Sequence, residues 1–151
     1  MTSRFLRFGC LLSAATFLSL SAAPGPVAAQ TAVADCDRLA ASPLDSTRPT
    51  NIAGVELSEI DTASAMAACT AAYEADASDP RLSYQLGRVR LQSGDLAEAE
   101  AYFLQAAVAG HALAMANLGA LMEETAPQDA FTWYKESAYL GQVLGQYNLV
   151  D

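Results

Sequence analysis

The stretch Ala107-Val108-Ala109-Gly110-His111-Ala112-Leu113-Ala114-Met115-Ala116-Asn117-Leu118-Gly119 decides the fold, because its parts return at a fixed interval along the chain. Gly110 realigns on Gly141 and Asn117-Leu118 on Asn148-Leu149, while Leu118-Gly119 realigns backwards on Leu86-Gly87. Just upstream, Ala101-Tyr102-Phe103 realigns on Thr132-Trp133-Tyr134, and Ala106-Ala107 on Ser137-Ala138. The interval is about thirty residues, the length of one helical hairpin, a unit that cannot bury its apolar face unless it stacks on its neighbours. The chain therefore reads as all-α, a stack of helical hairpins. Such stacks present binding surfaces more often than reaction centres.

Helix signals extend this reading from Asp61 to the end of the chain. Asp61 caps a helix with an apolar stripe at Ala65, Met66, Cys69, Ala72 and Tyr73, which fades near Asp76. Asp79-Pro80 is an N-cap followed by proline at the first helical position; Leu82, Tyr84, Leu86 and Val89 supply the buried side, and Gly94 ends it. Asp95 starts a helix that packs through Leu96, Ala99, Phe103, Ala106 and Ala107 and closes at Gly110. A helix from about Ala112 to Glu124 follows. The next opens at Pro127, turns Phe131, Tyr134 and Ala138 inward and closes at Gly141; a last one begins near Val143. Trp133, Phe103, Tyr134 and Tyr147 sit at helical packing spacing and read as core. Gly87 and Gly119 fall mid-helix, where glycine costs about 1 kcal/mol relative to alanine. A cost that recurs at the repeat interval implies a partner helix crossing so closely that no side chain fits.

The segment before Asp61 has a different character. Arg4 and Arg7, an apolar run from Phe8 to Ala23, and Val27-Ala28-Ala29 together read as a secretory signal peptide over residues 1–29, cut after Ala29. Its apolar run is short for a membrane span, and no later segment is long and apolar enough, so no membrane insertion is expected after cleavage. Removing Arg4 and Arg7 from the eight basic residues leaves six against seventeen acidic ones, a balance of −11. That charge disfavours nucleic acid, which requires clustered Lys and Arg. Arg81, Arg88 and Arg90 are the one local concentration of positive charge, and Arg81 and Arg88 read as a solvated face. Gln30 to Ala34 reads as a loose tail and Cys36 to Ala41 as a short helical turn. The rest of residues 30–60, with Pro43, Pro49 and Gly54, reads as an irregular ordered loop covering the apolar end of the stack. Signal cleavage would leave two cysteines, Cys36 and Cys69, and an even pair in an exported chain reads as a disulfide, with free thiols or a metal site as the alternatives. Two cysteines and the single His111 do not make a four-ligand zinc set, so no metal and no cofactor is expected.

The pattern Ala-x-x-Gly-His-Ala-x-Ala-Met-Ala-Asn-Leu-Gly at Ala107–Gly119 resembles the Sel-one-like repeat, a relative of the tetratricopeptide repeat. It returns at Leu140-Gly141 through Asn148-Leu149, while Trp133-Tyr134-Lys135 and Pro127-Gln128-Asp129 are similar to the second-helix signature of that family. Asp79 to Glu100 looks more like an ordinary tetratricopeptide unit, with Leu86-Gly87, Gly94-Asp95 and Ala97-Glu98-Ala99. The resemblance covers residues 61–151, with the last repeat incomplete. It lacks the Gly-rich stretch of the family between Met122 and Pro127. It implies a right-handed α–α hairpin solenoid, and the Cys36…Cys69 lead-in resembles exported bacterial members, periplasmic or secreted.

The resemblance also implies a function: a scaffold or adaptor that grips a protein or peptide in the groove lined by its first helices. Gln85, Asn117 and Asn148 occupy one place in successive first helices, and an amide there offers donors and an acceptor to a peptide backbone or terminal carboxylate. Arg88, one turn along, would add positive charge. The alternative is that these amides bond neighbouring loops and hold the helices in place. No catalytic residue is expected and the chain reads as a non-enzyme. His111 has no second histidine to work with, and at a helix-to-helix turn it caps or faces water. The alternatives that the family suggests are an envelope hydrolase acting on peptidoglycan or β-lactams, or a non-catalytic regulator of envelope signalling. The first lacks a Ser-x-x-Lys arrangement.

Overall fold

The computed structural model describes residues 25–149, and among these the chain forms seven α-helices and no strand. The signal-peptide reading falls mostly on residues 1–24, outside the described residues. Helix α1 (Pro26–Ala40) opens with proline in its first turn and runs through the expected cut at Ala29. It replaces the loose tail and short turn expected there. An alanine-rich segment is a good helix former. Cys36, Asp37 and Ala40 give it a buried face against the next helices, which local sequence could not reveal.

An irregular segment then runs from residue 41 to 61, with one turn of 3₁₀ helix at Leu57–Glu59. Helix α2 (Thr62–Ala75) follows its Asp61 cap, whose carboxylate accepts from Ala63 N and Ser64 N. Helix α3 (Pro80–Ser93) is capped by Asp79 and stops at Gly94, which takes φ +87° and lets Asp95 N reach Arg90 O. Helices α4 (Leu96–Val108), α5 (Ala112–Met122), α6 (Pro127–Tyr139) and α7 (Val143–Tyr147) complete the series. Asp95 does not cap α4 with its side chain; it accepts from Ser93 Oγ and Arg90 instead.

Each helix packs on the next one in the chain, α1 also touches α3, and α5 touches α7. Tyr73 joins α2 to α4, with its hydroxyl donating to Gln105 Oε1 at 2.9 Å and its ring edge-on to Tyr102. Two cores result. One gathers Cys36, Ala40, Ala65, Ala72, Leu82 and Leu86 among α1, α2 and α3. The other gathers Tyr84, Phe103, Ala107, Leu113 and Leu118 among α3, α4 and α5. The Cys36–Cys69 disulfide clips α1 to α2 inside the first core.

The mid-helix glycines have the physical cause the sequence suggested. A β-carbon on Gly87 would lie 2.7 Å from the Phe103 ring, and one on Gly119 would lie 2.6 Å from the Tyr134 ring. Phe103 of α4 thus seats on Gly87 of α3 as Tyr134 of α6 seats on Gly119 of α5. Other expectations fail. Leu96, Phe131 and Tyr147 are more than half exposed. Leu96 and Tyr147 sit at an end of their helices, where the neighbouring helix no longer covers them, while Phe131 lies off the face that α6 buries through Ala130, Tyr134 and Ser137. Arg81 and Arg88 are not a solvated face: Arg88 is buried, and the Arg81 side chain is largely covered.

Candidate functional site

Helical spacing sets Arg81, Gln85 and Arg88 along one side of α3, and that side faces the chain's own N-terminal segment. Arg81 and Gln85 both bond Asp37 on α1; the Gln85 Nε2–H donates to Asp37 Oδ1 at 2.8 Å. Gln85 Oε1 also rests 3.0 Å from Cys36 Sγ. That sulfur is in the disulfide and carries no proton, so this is a packing contact. Arg88 donates to Ala40 O at 2.5 Å and to Val55 O at 2.7 Å. Val55 N donates to Ala41 O at 2.8 Å, so the two limbs of the irregular loop meet over Arg88. Gly54 (φ +88°) makes this approach possible, because a β-carbon there would lie 2.5 Å from Pro43 N. Burial draws the Arg88 guanidinium below its ordinary value, while the negative charges of Glu56 and Asp45 oppose that shift.

The tip of the loop is fixed by His111. Asp45 Oδ1 accepts from Thr47 N at 2.8 Å and from Thr47 Oγ1 at 2.7 Å. Asp45 Oδ2 lies 3.3 Å from His111 Nε2, and Thr47 Oγ1 lies 3.2 Å from the same nitrogen. The His111 ring stacks on Tyr84, with centroids 4.5 Å apart. His111 Nδ1 accepts from Ala114 N at 3.1 Å and so caps α5. The sequence reading of a capping histidine fits this position, but the ring is buried and does not face water.

The tautomer follows from the bonds, and it decides the chemistry. With Nδ1 accepting a backbone N–H, a neutral ring carries its proton on Nε2. That N–H donates to Asp45 and Thr47. The nitrogen facing Thr47 therefore cannot take the proton of the Thr47 hydroxyl, which is itself committed to Asp45. The trio has the residue types of a nucleophile–base pair but the wrong proton arrangement for one. No group of three or more His, Cys, Asp or Glu side chains that could hold a metal occurs among the described residues.

The expected ladder of Gln85, Asn117 and Asn148 with Arg88 is split by the fold. Gln85 is buried against Asp37 and Cys36 of α1, out of reach of a ligand, whereas Arg88, bonded to Ala40 O and Val55 O, still lines one recess together with Asn117 and Glu56. Asn117 is half-buried and faces the Tyr84 hydroxyl together with Ser42. Burial raises the Tyr84 phenol well above its usual range. Asn148 is half-buried beside the Tyr134 hydroxyl, whose pKa is also raised, by burial and by Glu123. What remains open lies between the loop and the odd-numbered helices. A recess of about 150 Å³ is lined by Leu44, Leu57, Tyr84, Leu113, Asn117 and Leu144. A neighbouring one of about 220 Å³ reaches Thr47, His111, Leu140 and Gln142.

Asp37, Asp45 and Thr47 carry this arrangement and were not singled out in the sequence. An acid in an irregular segment has no periodicity to mark it as buried. The one available signal was the pairing of a lone histidine with an otherwise unexplained long loop. No family of proteins, no curated protein and no solved structure matches this chain. No helix among the described residues is long and apolar enough to cross a membrane.

Proposed function

We propose that this is a non-catalytic interaction module, a right-handed solenoid of helical hairpins (α1–α2, α3–α4, α5–α6, with α7 beginning another) that holds an extended stretch of a partner protein or peptide. Support comes from the sequential packing of the helices and from the repeated seating of an aromatic ring on Gly87 and Gly119. The observation that carries the binding reading is the recess along α3, α5 and α7. There the Asn117 amide and the Tyr84 hydroxyl sit among Leu57, Leu113 and Leu144, polar groups for a backbone between apolar places for side chains. The disulfide suits an oxidising compartment, in keeping with a periplasmic or secreted protein.

The hydrolase alternative is disfavoured by the spent state of His111. The regulator alternative is compatible with a binding module and requires no different geometry. The test is selection of peptides from a displayed library, followed by titration with the protein and its Asn117→Ala variant. Saturable binding that weakens at least tenfold in the variant, at unchanged melting temperature, supports the groove. Equal binding by both overturns it. Turnover of a chromogenic β-lactam or of peptidoglycan by the pure protein would overturn the non-enzymatic reading.

A further inference from the structure

The segment between Ser42 and Ile60 is held to the helices in an unusual way. Of residues 43–59, Asp45 alone is buried, and it is 1% exposed. Every apolar side chain of the segment is partly or fully exposed, with Leu44 at 55%. The segment is tied to itself: Asp45 N donates to Ser42 O, Arg48 N to Asp45 O, Ile52 N to Pro49 O, and Arg48 Nε to Ala53 O. Its ties to the helices at the tip are few. They are the His111 Nε2–H shared between Asp45 and Thr47, and Gln142 Nε2 donating to Leu44 O at 3.3 Å. Its base is the Ala41–Val55 junction over Arg88.

We propose that residues 42–53 are a lid, hinged at the Ala41–Val55 junction and latched by Asp45 to His111, whose opening bares the inner face of α3 and α5 to an extended polypeptide. Val55 and Leu57, which pack against the first core, lie at and beyond the hinge; residues 42–53 have internal bonds and no buried apolar side chain, so they move as a body and lifting them exposes little apolar surface of their own. Opening also returns the Asp45 carboxylate to water, which offsets part of the loss of its bonds to His111. Beneath the lid lie the Tyr84 ring and hydroxyl, Leu113 and Asn117. What enters the opened groove rests on the interaction-module reading; the motion of the lid does not.

The test is the rate at which a small maleimide labels single introduced thiols in the full chain carrying Cys10→Ser, so that the introduced thiol is the one outside the disulfide. One thiol goes under the lid, at Leu113→Cys; the other goes between α3 and α4, at Ala99→Cys, a site 0% exposed. Labelling at position 113 is expected to be faster and less dependent on urea than at position 99. Asp45→Asn is expected to speed labelling at 113 at least tenfold and to leave 99 unchanged. His111→Asn, which keeps an N-cap acceptor but removes the donor to Asp45, is expected to do the same. Equal rates and equal urea dependence at the two sites in the otherwise unaltered chain would overturn the lid, as would no acceleration in either variant. No peptide is present in this assay, so failure of the binding reading cannot produce or mask its result.

Discussion

Asp45 and His111, 66 positions apart in the chain, meet with Asp45 Oδ2 3.3 Å from His111 Nε2, and both side chains are 1% exposed. This contact pins an irregular loop to the start of α5 and also uses up the one histidine of the chain. With its other nitrogen the same ring caps α5 by accepting from Ala114 N.

The glycine seats make a sharp prediction because two effects oppose each other. Alanine at position 87 or 119 should gain about 1 kcal/mol in helix propensity. Its β-carbon would press on a ring 2.6–2.7 Å away, and overpacking of this kind costs about 1–3 kcal/mol. Sterics should win, lowering the urea midpoint of Gly87→Ala and Gly119→Ala. Adding Phe103→Leu to Gly87→Ala should recover part of that loss. Stabilisation by either single variant would mean the helices do not approach as described.

Arg88→Met keeps the length of the side chain and removes the donors to Ala40 O and Val55 O. Two carbonyls at the base of the loop lose a charged partner, for an expected loss of about 2–4 kcal/mol by denaturant titration. A change below 0.5 kcal/mol would show that the guanidinium is not holding the loop.

The pH dependence has a definite sign. Burial acts to raise the Asp45 carboxyl, but the bonds from His111 and Thr47 outweigh it and hold the carboxyl below the ordinary 3.8. A depressed folded-state value stabilises the protein fully above 3.8, and that contribution is lost as pH falls through the lowered value. Asp76, bonded by Ser78, titrates in the same window, so the comparison must be between the natural chain and Asp45→Asn. The urea midpoint of the natural chain should fall more steeply than that of Asp45→Asn below about pH 4. Parallel curves throughout would remove Asp45 from the account.

The disulfide joins residues 33 apart and should contribute about 3–4 kcal/mol by restricting the unfolded chain. The Cys36→Ala/Cys69→Ala variant should lose about that amount, while its circular dichroism in the folded range stays helical. Because both cysteines are fully buried, reduction of the native protein should be slow unless denaturant is added.

Much of the helical architecture was legible in the sequence. Asp61, Asp79 and Gly94 marked element ends through local backbone chemistry, and Gly87 and Gly119 announced close helix contacts through a cost that recurred. The even cysteine pair announced its bond. Helix α1 was hidden because its burial depends on α2 and α3. Leu96 and Tyr147 misled because periodicity says which face is apolar, not how far the neighbouring helix extends, and Phe131 because α6 buries the face through Ala130, Tyr134 and Ser137 instead. Of the ladder, Gln85 and Arg88 lie on α3 and Asn117 on α5, while Asn148 is the residue after α7. An ordered loop covering the stack was legible too, but its bonds to Arg88 and those of α1 to Gln85 were not, since they run through backbone carbonyls and one buried carboxylate, none of which leaves a pattern in residue types.

The most direct test of the latch is a long-range ¹⁵N–¹H correlation spectrum of the histidine ring at neutral pH, which is unambiguous because the chain has a single histidine. The structure requires the ring proton on Nε2, with Nδ1 accepting from Ala114 and through-space contacts from the ring to Thr47. A ring protonated at Nδ1, or one exchanging freely between tautomers with no contact to Thr47, would contradict the account.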